Sequence, residues 1–192
     1  MVTSETVELK KKFFEGIDFV QRVNNFSLRP TGPEKALLPL FEAIANSIHS
    51  IEESEKKDGL ISISIDRRQK EAELFAKQGR SDLDKIHREP IQGFSIIDNG
   101  IGFDNIRFNA FVEADTGYKV KNGGKGIGRY SWLKAFKEIS VESVFEEAGT
   151  LKVRNFEFRH TPQAIHNLKT KKTTSVKTGT TIRLLDYKPI FS

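Results

Sequence analysis

Apolar residues recur at three- and four-residue spacing at Leu37, Leu40, Phe41, Ile44, Ala45, Ile48 and Ile51. That period predicts an amphipathic helix over about Pro33–Glu53. Pro33 suits its first turn, Thr31 or Gly32 its cap, and Glu34 the positive end of the helix dipole. Leu60-Ile-Ser-Ile-Ser-Ile-Asp66 alternates strictly, which predicts a half-buried strand with its isoleucines inward. Phe94–Ile97 is a short apolar run ending in Asp98-Asn-Gly-Ile-Gly102, so Ile91–Asp98 is expected to be a buried strand entering a tight loop. Residues 67–90 are charged and poorly patterned, an insertion in this reading. A parallel crossover has no room there, so the two strands are expected to be antiparallel neighbours.

The pattern predicts a short helix or arm over Phe13–Val23, with Phe13, Phe14, Ile17 and Val20 on one side. Further helices are expected at Asn105–Ala114 and Arg129–Phe136. Strands are expected at Ile139–Glu146, Leu151–His160 and Gly179–Leu185. Residues 161–178 are basic and threonine-rich, with no clear period.

Composition narrows the class. A chain of 192 residues, 37% apolar and 30% charged, is long enough for one domain with a proper core. No apolar run approaches the roughly 20 residues of a membrane span, so no membrane partner is expected. The N-terminus lacks the basic and apolar regions of a signal peptide, and a cytoplasmic location fits. With no cysteine, a disulfide framework and thiolate chemistry are excluded. Net charge is +5, unevenly spread: Leu151–Ser192 carries nine Lys/Arg against Glu157 and Asp186, or +7, leaving −2 on the rest. A basic end can serve nucleic acid; a solvated sheet face with a basic loop is the plainer alternative.

Three stretches carry candidate chemistry. Asp98 stands at a strand end, where a carboxylate can accept a hydrogen bond from an exocyclic amine such as that of adenine. Gly100 and Gly102 allow φ > 0 or the close approach of a flat ligand. Asp-Asn-Gly is also ordinary turn chemistry, and the stretch alone decides nothing. Glu42 and Asn46, four apart, project from one side of the long helix. Residues 115–125 are polar and glycine-rich, a mobile loop by composition. They lead through Gly124-Lys-Gly126-Ile-Gly128 into a helix, an arrangement suited to phosphate, or else a hinge and cap.

In this order, with Gly179-Thr180 near the end, the set resembles the GHKL superfamily: gyrase, the large heat-shock chaperones, histidine kinases and MutL, with the MORC ATPases alongside. The resemblance covers about residues 33–185. It implies the Bergerat fold, an α/β two-layer sandwich with a mixed, mostly antiparallel sheet and helices on one face. The ATP-binding domain would span 31–192 after an arm over 1–30. Its cofactors would be ATP and Mg²⁺.

The resemblance also implies roles. Glu42 looks like the general base, Asn46 like the Mg²⁺ ligand, and Asp98 like the carboxylate that binds the adenine amino group. Gly100 and Gly102 would lie beside the base, and Thr180 near adenine and Asp98. Residues 104–125 resemble the ATP lid, in which Tyr118 and Lys119 would also touch nucleotide. Gly124, Lys125, Gly126, Ile127 and Gly128 would wrap the phosphates. The implied function is ATP hydrolysis driving a conformational or dimerisation switch, in a homodimer closed by ATP. A DNA-handling or defence setting is one that the basic C-terminal part would permit.

There are departures and alternatives. His49 stands where gyrase- and MutL-like proteins carry Asp. The lysine that reaches the γ-phosphate from a following domain in those proteins has no counterpart here, so the chain reads as an N-terminal fragment of a longer protein. A nucleotide-sensing module with little turnover and a histidine-kinase-type catalytic domain are the alternatives. Those kinases more often carry Asn or His at the position of Glu42, and no histidine precedes the long helix here.

Overall fold

The computed structural model describes residues 19–28, 36–67, 91–112 and 128–188. Along the chain they form α1 (Phe19–Asn25), α2 (Leu38–Glu53), β1 (Ile61–Arg67), β2 (Ile91–Asp98), α3 (Asn105–Val112), α4 (Arg129–Ala135), β3 (Phe136–Glu147), β4 (Thr150–Phe158), β5 (Ile165–Lys172) and β6 (Gly179–Tyr187). The strands make one sheet in the order β1-β2-β6-β3-β4-β5. Every pairing among the described residues is antiparallel, the limiting case of the mostly antiparallel sheet expected. The α/β fold is therefore as the sequence implied.

Register explains how the layers form. Ile96 pairs Ile182, which pairs Val141, which pairs Phe156. These four side chains make one buried row beneath the helices. The other face stays polar and wet: Glu138, Glu142 and Arg183 are exposed. Alternation of this kind, one face buried and one solvated, is what an antiparallel sheet allows.

One row on the covered face is not apolar. Asp98 pairs Thr180, Thr180 pairs Ser143, Ser143 pairs Arg154, and Arg154 pairs Thr170. Four of these five side chains are buried; Thr170 is exposed. Buried polar groups persist only when hydrogen-bonded, and this row is. Arg154 lies between the rings of Phe108 and Phe145, 4.5 and 4.6 Å from their centroids. It donates to the carbonyls of Phe103 (2.7 Å) and Asp104 (3.0 Å) and to Asn105 Oδ1 (2.5 Å), which ties the start of α3 to β4. Removing the guanidinium would leave the Phe103 carbonyl without its donor and empty the space between the two rings, while the Asp104 carbonyl would keep only the Phe108 N–H. Arg154→Met should therefore cost about 3 kcal/mol and lower the melting temperature by roughly 10 °C. A thermal melt matching wild type would contradict that account.

The helix expected over about Pro33–Glu53 is present over Leu38–Glu53, with Pro39 in its first turn and no side-chain cap at Leu37; Thr31, Gly32, Pro33 and Glu34 lie outside the described residues, and the expected start with them. Several expectations are corrected. The apolar stripe of α2 is not its deepest face. Pro39, Ala43 and Ser47 are buried, whereas Phe41 and Ile48 are 51% and 44% exposed. Small residues on the inner face let the helix backbone lie close, and Trp132 Nε1 donates to Pro39 O at 2.9 Å. The isoleucines of β1 are not buried either. Ile63 and Ile65 pair Ile96 and Phe94, so they point to the covered face, yet they are 43% and 52% exposed. Among the β1 residues only Ile61 packs against the core.

In α1 the buried residues are Phe19 and Val23 rather than Val20. Phe19 packs edge-on against Tyr130 and Phe158. Phe13, Phe14 and Ile17 lie outside the described residues. A strand, β5, occupies part of the patternless 161–178 stretch. It is held by pairing to β4, and only Ile165 and Leu168 pack against the core. Its exposed lysines suit a sheet edge, where charge blunts pairing with other chains.

Candidate functional site

Helix α2 has three distinct sides. The inner one is Pro39, Ala43 and Ser47. The apolar flank carries Phe41, Ile44, Ile48 and Ile51. The third, at spacings of four, three and four, carries Glu42, Asn46, His49 and Glu53. This polar flank faces a cleft of about 630 Å³, counted out to its open mouth. Asn46, Ser47, His49, Ser50 and Glu53 line it from α2. Asp98, Gly102, Phe103 and Thr180 line it from the sheet and the loop after β2, and Arg107 and Phe111 from α3.

Asp98 is the most constrained group in the cleft. Ser47 Oγ donates to its Oδ2 at 2.9 Å, and the Gly100 N–H donates to its Oδ1 at 2.9 Å. The Thr180 backbone N–H also reaches it. A carboxylate offers about four lone-pair sites, so roughly one is left for a ligand. Burial pushes its pKa up, against the pull of Gly100, Ser47, Thr180 and Lys56. A buried carboxylate with one free acceptor site in a cleft suits a neutral N–H donor.

The loop after Asp98 is held from several directions. Asn99 Oδ1 accepts the Leu60 N–H at 2.8 Å, and the Ile101 N–H donates to Ser50 O at 3.1 Å. Lys56 Nζ donates to Asn99 O at 2.5 Å and to Thr178 Oγ1 at 2.9 Å. Gly102 has φ +81°, and an added Cβ would overlap the Val144 carbonyl, so the expected φ > 0 holds there. Gly100 is glycine for a reason the sequence did not suggest: a Cβ would meet Ser50 on α2.

Glu42 and Gly128 are brought together from distant parts of the chain. A Cβ at Gly128 would overlap the Glu42 carboxylate. Only glycine at the start of α4 lets that carboxylate rest where it does. Glu42 itself is not among the residues lining the cleft.

Of the predicted site residues, Asn46, Asp98, Gly102 and Thr180 thus share one cleft, with Gly100 in the same loop and Glu42 packed on Gly128. Tyr118, Lys119, Gly124, Lys125, Gly126 and Ile127 lie outside the described residues. The lid expected over 104–125 begins as α3, whose Phe108 and Phe111 are buried against Phe156. The insertion over 67–90 is described only at Arg67. The exposed Lys169, Lys171, Lys172 and Lys177 of the basic end do not line the cleft. No described helix is long and apolar enough to cross a membrane.

Sequence reasoning missed Ser47, Lys56, Ser143 and Arg154. Ser143 had a signal: it interrupts the inward phase of Ile139, Val141 and Phe145. Arg154 sits likewise in phase with Phe156 and Phe158.

No family model matches the chain, and no curated protein matches it. Solved structures do. The ATPase region of Saccharomyces cerevisiae topoisomerase II is similar at a TM-score of 0.57 and 12% identity, covering 93% of this chain and 52% of that one. The same region bound to ICRF-187 (dexrazoxane) gives 0.56 and 12%, covering 95% and 53%. The chain therefore has the fold of this ATPase region, and it spans about half the length of these neighbours.

Proposed function

We propose that the cleft binds an adenine nucleotide with Mg²⁺ and that the protein hydrolyses ATP to drive a conformational or dimerisation switch. The observation that carries this reading is Asp98. It is buried in the cleft, held by the Ser47 hydroxyl and the Gly100 and Thr180 N–H groups, with one acceptor site left beside Thr180 and Gly102. That is the environment in which a carboxylate selects an amino group. The neighbours' designation as an ATPase region supports the same reading.

Asn46 would hold the metal. Mg²⁺ keeps most of its water and takes few protein oxygens, so a single side-chain carbonyl in the cleft is an adequate donor set. When bound, Mg²⁺ supplies positive charge to the phosphate oxygens and aligns them. Glu42, one turn before Asn46 on the same flank, takes a proton from water. The water oxygen then bonds to the γ-phosphorus as the bond to the ADP oxygen breaks. Gly124, Lys125, Gly126, Ile127 and Gly128 would wrap the phosphates beneath a lid over 104–125, as the GHKL resemblance implies. An N-terminal arm over 1–30, a nucleotide domain over 31–192, and a DNA-handling or defence setting complete the proposal. The last is supported only by the exposed lysines of β5 and the loop after it.

A second reading is favoured by one observation. Glu42 packs on Gly128 instead of lining the cleft, as in a sensing module that binds and scarcely turns over. Two measurements separate the readings. Calorimetric titration with a non-hydrolysable ATP analogue and Mg²⁺ should show saturable binding at a single site. Single-turnover hydrolysis with protein in excess should then show ADP formation. Binding without any ADP supports the sensing module; no binding rules out both.

A further inference from the structure

We propose that Lys56 is a positioning residue of the nucleotide site: its ammonium group fixes the Asn99–Gly100 peptide so that the Gly100 N–H stays on Asp98 and keeps that carboxylate an acceptor for the ligand. The inference rests on the adenine-nucleotide reading above. Lys56 does not line the cleft. It is half-buried in the turn between α2 and β1.

The bond directions around Lys56 are fixed by chemistry. An ammonium group has three N–H donors and accepts nothing. Lys56 Nζ therefore donates to Asn99 O at 2.5 Å and to Thr178 Oγ1 at 2.9 Å, with Gly100 O at 3.5 Å beside them. Thr178 Oγ1 accepts from the ammonium, so its own proton goes to Gly100 O at 2.7 Å. One cation thus joins three stretches far apart in sequence: the turn after α2, the loop after β2 and the residue before β6.

The consequence for Asp98 follows from the peptide unit itself. Asn99 O and Gly100 N belong to one planar trans peptide, whose C=O and N–H point in opposite directions. With Lys56 on the oxygen, the N–H is directed onto Asp98 Oδ1 at 2.9 Å. A cation on the carbonyl also polarises the unit and strengthens its N–H as a donor. Glycine lets this peptide rotate where a side chain would resist. Without Lys56 it can turn over and set a carbonyl oxygen against the carboxylate. That favours the protonated acid, which offers a donor where the ligand amino group needs an acceptor. The other titratable or charged groups lining the cleft are His49 and Glu53 of α2 and Arg107 of α3. Arg107 is held by Glu53 and Asp104, and Lys56 is the charged side chain that acts on Asp98.

The test compares wild type with Lys56→Met and Thr178→Val. Both variants cut the same knot of hydrogen bonds, but only the first removes the charge and the donor to Asn99. The Gly100 amide proton is followed by NMR in nucleotide-free protein as pH is lowered. In wild type it should move as Asp98 takes up a proton. In Lys56→Met the midpoint of that movement should lie at higher pH, because a nearby positive charge and a held donor both favour the carboxylate. In Thr178→Val it should stay at the wild-type pH. His49 is present in all three proteins and cancels from the comparison. By calorimetry at neutral pH, Lys56→Met should bind a non-hydrolysable ATP analogue with Mg²⁺ about tenfold more weakly than wild type, and Thr178→Val within about threefold. Equal midpoints or equal affinities in wild type and Lys56→Met overturn the proposal. An equal shift in Thr178→Val also overturns it, since Lys56 would then act through the loop's architecture alone. If Lys56→Met does not fold, Lys56→Gln takes its place, with the same upward midpoint expected and an unmoved one sinking the proposal. Failure of wild type to bind the analogue overturns the reading beneath the inference, whereas the midpoints in free protein test the Lys56 link on their own.

Discussion

Glu42→Ala is expected to abolish ATP turnover while leaving nucleotide affinity within about threefold of wild type. Loss of a general base costs typically 10²–10⁴ in rate, and a basal rate that is low to begin with would then fall below detection. Binding should survive because Glu42 does not line the cleft, whereas Asn46, Asp98 and Thr180 do. Gly128→Ala gives a second route to the loss of turnover. Its new methyl group would overlap the Glu42 carboxylate, and that carboxylate is the far end of a flexible side chain, so it moves aside. Backbone strain is not the cause, since φ at Gly128 is −58°, an ordinary helical value. Turnover should drop in both variants, and the melting temperature should change little in either. The checks are single-turnover hydrolysis and calorimetric affinity on the same preparations. A Glu42→Ala protein that loses binding would show that Glu42 holds ligand, and the base assignment would be withdrawn.

The cleft's buried polar row leaves a trace in the sequence, where polar residues break into apolar alternation, although Asp98 stood out as the end of an apolar run, Thr180 only through the family resemblance, and Ser143 and Arg154 not at all. Phe94 and Ile96 lead inward to Asp98. Ile182 and Leu184 follow Thr180 in the same phase. Neighbouring strands run oppositely, so a polar residue after two apolar ones on one strand meets a polar residue before two apolar ones on the next. Ser143 after Ile139 and Val141, and Arg154 before Phe156 and Phe158, obey the same rule. The whole buried row was therefore written in the strands' inward positions. What the pattern could not supply was register, which alone places the four at one level.

The α2 stripe misled for a related reason. Periodicity identifies an apolar side, but the closest-packed side was made of Pro39, Ala43 and Ser47, small residues that carry little hydrophobic signal. The isoleucines of β1 point inward as alternation requires. Their exposure depends on how far the helix layer extends, which no local pattern encodes. β5 has almost no apolar period and is held by backbone pairing to β4, so its existence depends on its neighbour.

Asp98→Asn should weaken nucleotide binding by roughly 10–150-fold, the worth of a hydrogen bond to a charged group, and leave the fold as stable or more so. The two effects have opposite signs because burial dominates at this carboxylate. Its folded pKa is raised above the ordinary 3.8. A raised carboxylate contributes stability that is complete below its unfolded value and is lost as pH rises through its folded value. At neutral pH the ionised group therefore weighs against the fold, and a neutral isostere removes that cost. The amide can also keep two of the three local bonds. Its oxygen can accept the Gly100 N–H and its nitrogen can donate to Ser47 Oγ, which now serves as acceptor. No lone pair is then spare on that side for an incoming amino group. Wild-type affinity should fall as pH is lowered through the raised Asp98 range, because the protonated carboxyl offers a donor where the ligand needs an acceptor. The residual binding of Asp98→Asn should lack that component, and it controls for protonation of the nucleotide itself. Calorimetric affinities across the acid range, paired with thermal melts of both proteins at neutral pH, measure all of this. A variant that binds like wild type, or one that melts well below it, would show that Asp98 serves the loop's architecture rather than the ligand.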